Sequence, residues 1–321
     1  MRTKNLVALL LVFAILMLTA CSGEKKSSGE ASSSGSGDSN QIKIGVSYQN
    51  LQNEYIVNVQ KAVQAQAKSA GVKLIEADGQ GKSEKQISQV ENFITQGVNA
   101  IILNPFDKNG AAAAVEKAKA AGIPIITLTA VVANQDQVTA HVGSNDEEAG
   151  VIEMKQIAQL LNGKGKIAVI HGPFGHSAEV GRTKGIKQVL KDYPDIKVVS
   201  EQTANWSREE ALNLVENWLQ TLKLDAIVAQ NDEMALGALK AVEANGKFGK
   251  IKIIGIDAIP DALDSVKNGK LDGSVFQDAK GQGATAVDVA IKAAKGENVE
   301  KTNYIPFQLI TKENVDKFIG Q

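Results

Sequence analysis

The residues able to carry chemistry in this 321-residue chain are few: three histidines, a single cysteine, and polar side chains that fall at the ends of apolar runs. His141, His171 and His176 stand without the cysteine or carboxylate spacing that a tetrahedral zinc site uses, so no metal is expected. Gly81-Lys82-Ser83 has the end of a phosphate-binding loop, but Glu76 occupies the place of the required upstream glycine and would repel a phosphate. Gly281-Gln282-Gly283-Ala284-Thr285-Ala286 fits G-x-G-x-x-A without a following ribose-binding acid in a standard βαβ unit, which points to a helix start packed against a neighbour. No G-x-S-x-G elbow supplies a hydrolase nucleophile. These absences argue against an enzyme and against a bound cofactor.

Cys21 has a different chemistry. Arg2 and Lys4 precede an apolar run over 6–18 that is short for a permanent membrane span and reads as a cleaved signal segment over 1–20. Leu18-Thr19-Ala20-Cys21 has the form of a bacterial lipobox, so the thiol is expected to carry a lipid, and two acyl chains give lasting attachment where one is marginal. The segment over 21–41 is rich in Ser, Gly, Glu and Lys and buries too little apolar surface to offset its ordering entropy, so a flexible tether is expected. An extracytoplasmic protein lipid-anchored to the membrane of a monoderm bacterium is the reading. Thirty-five basic and 36 acidic residues nearly cancel, with no basic stripe for nucleic acid.

The elements that must position any site are regular. Strand-like runs at 42–48, 72–77, 100–103 and 123–128 alternate with helical stretches at 54–70, 83–96 and 111–121. The series restarts after Gly143, with helices at 147–161, 178–191, 208–221, 233–244 and 261–267. Strands at 166–170, 196–200, 226–229 and 251–256 separate them. Such alternation predicts an α/β chain with two doubly wound parallel-sheet lobes. Ligands of such sheets lie beyond the carboxyl ends of strands, where Asn231 and Asp257 fall.

Two runs carry a family resemblance. Ala229-Gln230-Asn231-Asp232-Glu233-Met234-Ala235-Leu236-Gly237-Ala238-Leu239 resembles the matching segment of bacterial ribose-binding proteins. Gly255-Ile256-Asp257-Ala258-Ile259-Pro260-Asp261-Ala262-Leu263 and Gly269-Lys270-Leu271-Asp272-Gly273 resemble the galactose/glucose-binding proteins. The likeness extends over about 42–310. It implies the type I periplasmic binding protein fold, with a three-crossing hinge. The lobes would be 42–145 plus 278–305 and 146–277 plus 306–321. It also implies a function: capture of a small neutral sugar or cyclic polyol for the permease subunits of an ABC transporter, by a monomer. A receptor feeding a sensor kinase or chemoreceptor is the alternative.

Carried residue by residue, the resemblance implies polar ligand contacts at Asn53, His176, Arg182, Asn231, Asp257 and Gln277, and aromatic contacts at Tyr55 and Trp206. Thr129 and Ala130 replace the Asp-Arg pair of the ribose receptors, so Thr129 is the expected contact there and a bulkier ligand than ribose is expected. The chemistry of sugars agrees: aromatic plates cover apolar C–H faces, carboxylates accept, Arg donates, and amides do both. Each residue has a structural alternative. Asp257 could cap the next helix, Trp206 could be core, His176 could be a solvated loop residue, and Arg182 could pair with Glu179. Of Asn231 and Asp232, Asp232 is expected to cap the following helix and Asn231 to face the ligand.

Overall fold

The computed structural model describes residues 41–320; the signal segment, Cys21 and nearly all of the expected tether lie outside them. In the first lobe β1 (Lys43–Tyr48), β2 (Lys73–Asp78), β3 (Ala100–Leu103), β4 (Ile125–Thr129) and β5 (Ala140–Gly143) alternate with α1 (Glu54–Ser69), α2 (Ser83–Thr95) and α3 (Ala112–Ala120). The second lobe contains α4 (Asp146–Leu160), β6 (Lys164–His171), α5 (Ser177–Leu190), β7 (Asp195–Thr203), α6 (Arg208–Thr221) and β8 (Ala226–Ala229). It continues through α7 (Asp232–Ala244), β9 (Lys252–Asp257), α8 (Pro260–Lys267) and β10 (Gly273–Phe276). The chain then adds α9 (Ala279–Ala294), β11 (Thr302–Tyr304) and β12 (Gln308–Ile310).

The strands form two six-stranded sheets, ordered β11-β5-β4-β3-β1-β2 and β12-β10-β9-β8-β6-β7. Every pairing is parallel except β10 with β12. The chain passes between sheets three times, from β5 to α4, from β10 to α9, and from β11 to β12. Helix α9 returns to pack on α1 and on β3, β4 and β5. In both sheets the strand order reverses beside the lobe's first strand, which places a crevice at its carboxyl end.

Burial explains why these runs form central strands. All four residues of β3 and all four of β8 are buried. Each fully buried Ile, Val or Leu contributes about 1.5–3 kcal/mol, so the middle of each sheet is where the lobes gain their stability. The strands that the periodicity did not predict, β5, β10, β11 and β12, are three or four residues long. β11 and β12, at the sheet edges, are too short to show a pattern and are strands only because a neighbour offers a free edge. Gly283, within 281–286, has the packing role expected there: a Cβ on it would stand 2.7 Å from Ala62 Cβ and 2.8 Å from Val59 O, on α1.

One buried group is out of keeping with this core. Glu153 of α4 is fully buried, and neither carboxyl oxygen has a hydrogen-bond partner. Burial pushes its pKa well above the usual carboxylate range; Arg182 opposes this, while Asp232 and Asp257 add to it. A group whose pKa is raised on folding binds its proton more tightly in the native state, so stability falls as pH climbs above the unfolded value of about 4.3. Glu153→Met should therefore raise stability by about 1–3 kcal/mol at neutral pH and flatten that decline. Chemical denaturation at several pH values checks it; a variant less stable than the parent at pH 7 overturns the reading.

Candidate functional site

A cavity lies between the carboxyl ends of the two sheets. Asn53, Tyr55, Thr129, His176, Arg182, Trp206, Asn231, Asp257 and Gln277 all line it. The structure thus brings together the nine residues that the resemblance implied as ligand contacts, and adds Gln49, Ile56 and Ala178.

The first lobe's wall begins where β1 ends. Asn53 caps α1 by accepting from Ile56 N at 3.2 Å, which leaves its amide hydrogens uncommitted. Tyr55 is buried, and its hydroxyl donates to Gln282 Oε1 at 3.1 Å. Gln282 in turn donates to Ser144 Oγ at 2.8 Å, and Ser144 donates to Ile305 O at 2.5 Å. The Tyr55 ring is therefore held by a chain of bonds that reaches two of the three crossings. Asn104, directly after β3, accepts from Gln49 N at 3.0 Å and donates to Thr129 Oγ1 at 2.6 Å. The Thr129 hydroxyl keeps its own proton for another acceptor.

The second lobe's wall centres on Arg182, which is 4% exposed. Its Nε donates to Asp146 Oδ1 at 3.1 Å, its Nη2 to Gln277 Oε1 at 2.8 Å, and its Nη1 to Gln230 O. Three of five donors are spent, two remain, and the pairing with Glu179 does not form. Glu179 bonds His171 at 3.1 Å and Thr183 at 2.8 Å instead. The guanidinium carbon lies 5.6 Å from the Trp206 ring centroid. Trp206 packs so closely on Gly172 that a Cβ there would lie 2.1 Å from the indole. The ring is thus half core and half cavity wall.

Three readings raised by the sequence fail on geometry. Asn231, not Asp232, caps α7: its Oδ1 accepts from Met234 N at 3.0 Å. Asp232 is already inside the helix, and its carboxylate accepts from Ser274 Oγ at 2.8 and 2.9 Å and from Ile259 N at 3.1 Å. Asn231 still lines the cavity, with its amide hydrogens unspent. Asp257 caps nothing, because Ile259 holds the N-cap of α8 without a side-chain bond. The Asp257 carboxyl accepts no hydrogen bond from the described residues, which makes it the cavity's open acceptor. His176 is not a solvated loop residue either: it is buried and caps α5, with Nδ1 accepting from Ala178 N at 3.1 Å.

Electrostatics follow from burial. Asp257 is pushed well above the usual carboxylate range by burial, against the pull of Arg182. Burial carries Asp232 up to about 7, partly offset by its bonds from Ser274 and Ile259. His176 is held down at about 4, by burial first and by Arg182 second. Backbone strain also gathers here: Thr129, Trp206 and Asp257 have φ of 61°, 62° and 127°. Such conformations cost about 1–3 kcal/mol each and persist where the surroundings over-determine them, often at binding sites.

Gln49, Asn104, Asp146 and Gln230 were missed by the sequence reading. Three of them directly follow β1, β3 and β8, so the strand-end rule applied to every strand finds them.

The periplasmic binding protein domain family matches residues 44–298. The putative rhizopine-binding protein of Rhizobium meliloti is 41% identical over 286 residues, which cover 87% of this chain and 93% of that one. The ribose import binding protein RbsB of Bacillus subtilis (strain 168) is 36% identical, with 97% and 100% covered. A solved ABC transporter solute binding protein from Bacillus halodurans C-125, with bound myo-inositol, superposes with a TM-score of 0.85 at 46% identity, covering 88% of this chain and 98% of that one. By fold, by the span of the match and by these likenesses, the chain belongs to the periplasmic binding protein domain family.

Proposed function

We propose that this chain is an extracytoplasmic solute-binding lipoprotein. It captures a neutral monosaccharide or cyclic polyol between 42–145 plus 278–305 and 146–277 plus 306–321, and passes it to an ABC permease without chemical change. One observation carries the reading: two aromatic rings, one carboxylate acceptor, one part-spent arginine and several uncommitted amides converge on a single inter-lobe cavity. A polyhydroxylated ring has apolar faces for the rings and hydroxyls that both donate and accept for the rest. Nothing in the cavity clusters cations for a phosphate or carboxylate: its one arginine is already paired with Asp146. The bound myo-inositol of the Bacillus halodurans relative supports a cyclic polyol. Thr129, already tied to Asn104, leaves room at the end where the ribose receptors place two charged side chains. Closure of two lobes on a hinge is then the event that traps solute.

Specificity is a difference of affinities, so the test is comparative. Titration of myo-inositol, glucose, galactose and ribose into one preparation should rank ribose below at least one of the other three, which are bulkier. Ribose binding tightest by about tenfold or more, a gap of about 1.4 kcal/mol, overturns the ligand class. Asp257→Asn keeps the shape and tolerates the left-handed backbone, so it should fold yet weaken binding roughly 3- to 12-fold, the loss of about one hydrogen bond as an amide replaces one carboxyl oxygen. Unchanged affinity by calorimetry removes Asp257 from the recognition set. For the anchor, Cys21→Ser should move the protein from the membrane fraction to the medium; retention in the membrane overturns lipidation at that residue.

A further inference from the structure

The cavity's histidine has no ring nitrogen left for a solute. His176 Nδ1 accepts from Ala178 N at 3.1 Å, so the proton of the neutral ring is on Nε2. Nε2 lies 2.8 Å from Gln49 Oε1. Gln49 follows β1 of the first lobe and His176 opens α5 of the second, so this bond crosses the cleft. The next residue repeats the crossing: Val131 N, after β4, donates to Ser177 Oγ at 3.0 Å. A residue before His176, Gly175 and Asp107 also meet, a Cβ on Gly175 standing 3.1 Å from Asp107 Oδ2. The start of α5 is thus seated on the first lobe, and one turn on, Arg182 of the same helix holds the crossing at Gln277.

We propose that His176 is a positioning residue for solute binding: its Nε2–H bond to Gln49 Oε1 latches the second lobe onto the first. The bond commits the Gln49 oxygen to His176, so that the amide hydrogens are what this part of the cavity wall offers to a trapped solute. The inference rests on the solute-binding reading above. Its distinctive content is that His176 and Gln49 act as one unit, where two separate solute contacts would act independently.

Protonation opposes the latch in a definite direction. An imidazolium has no lone pair to cap α5, and the Arg182 guanidinium nearby opposes its charge. Asp107, from the loop after β3, and Glu179, on α5 itself, are the facing acids and only partly offset this. The latched state therefore holds fewer protons than the open one. Acidification below the ordinary imidazole value of about 6.5 favours opening. Asp257 titrates in the same cavity, so the His176 share is the difference between the parent and a variant that lacks the ring.

The experiment uses the full chain in detergent with myo-inositol as probe. Off-rates are read by stopped-flow tryptophan fluorescence and the inter-lobe distance by fluorescence transfer without solute. His176→Asn keeps a good N-cap but is too short to reach Gln49, and Gln49→Ala removes the other half while leaving α5 intact. Each should raise the off-rate roughly 3- to 12-fold, the loss of about one hydrogen bond, with little change in on-rate. The double variant should be no worse than Gln49→Ala alone. Both variants should shift the solute-free protein toward larger inter-lobe distance, and His176→Asn should lose less affinity than the parent between pH 7 and pH 5. Multiplying off-rate effects, unchanged off-rates, an unshifted distance, or an undiminished pH response in His176→Asn each overturn the latch. If the parent binds no polyol at all, the solute-binding reading fails, and the distance measurement alone then decides the latch.

Discussion

The structure turns on one buried guanidinium. Arg182 is a full positive charge at a place water barely reaches, and it is tolerable only because Asp146, Gln277 and the Gln230 carbonyl all accept from it. Those partners lie on different parts of the chain: the start of α4, the crossing after β10, and the end of β8. Satisfying a single side chain therefore brings two of the three crossings into register with the second sheet. Removing one partner from a buried pair of this kind typically costs about 3–5 kcal/mol, because the remaining charge is left uncompensated. The arrangement also explains the cavity's polarity. With most of Arg182 spent on protein, the unspent groups facing the space are weak donors and one carboxylate, a balance suited to hydroxyls and poor for anions.

Around that arginine the side chains hold one another by directed bonds more than by bulk packing. Tyr55 is fixed through Gln282 and Ser144 to the crossing at Ile305, and Thr129 through Asn104 to the backbone of Gln49. The left-handed backbones of Thr129, Trp206 and Asp257 lie around the same cavity. A site built this way pays its ordering cost in folding and loses little on binding, the general advantage of preorganisation. Regions of the two lobes that carry no such duty are plainer. His141, for instance, sits buried against Thr127 Oγ1 at 3.0 Å with Tyr304 packed edge-on, a satisfied core histidine.

Much was legible in the amino-acid order because it depends on local pattern. Alternating apolar runs and amphipathic stretches determined two doubly wound lobes, since a strand buried on both faces must be apolar throughout and its covering helices must be amphipathic. The position of polar residues just after strands pointed to the cavity's location, and the family resemblance pointed to nine residues that the structure gathers in one place. What the order of residues left undecided was partnership. Whether Asn231 or Asp232 caps α7 depends on where β9 and β10 place Ser274 and Ile259, which hold the Asp232 carboxylate. Whether Arg182 meets Glu179 or Asp146 depends on how α4 crosses α5. Whether His176 faces solvent or Gln49 depends on the separation of two lobes joined only by their crossings. Short strands such as β11 exist only where an edge awaits them. Periodicity reports which face of an element is buried; only the tertiary structure decides what each polar atom on that face meets, because hydrogen bonds are short-ranged and their partners here lie up to 227 residues apart.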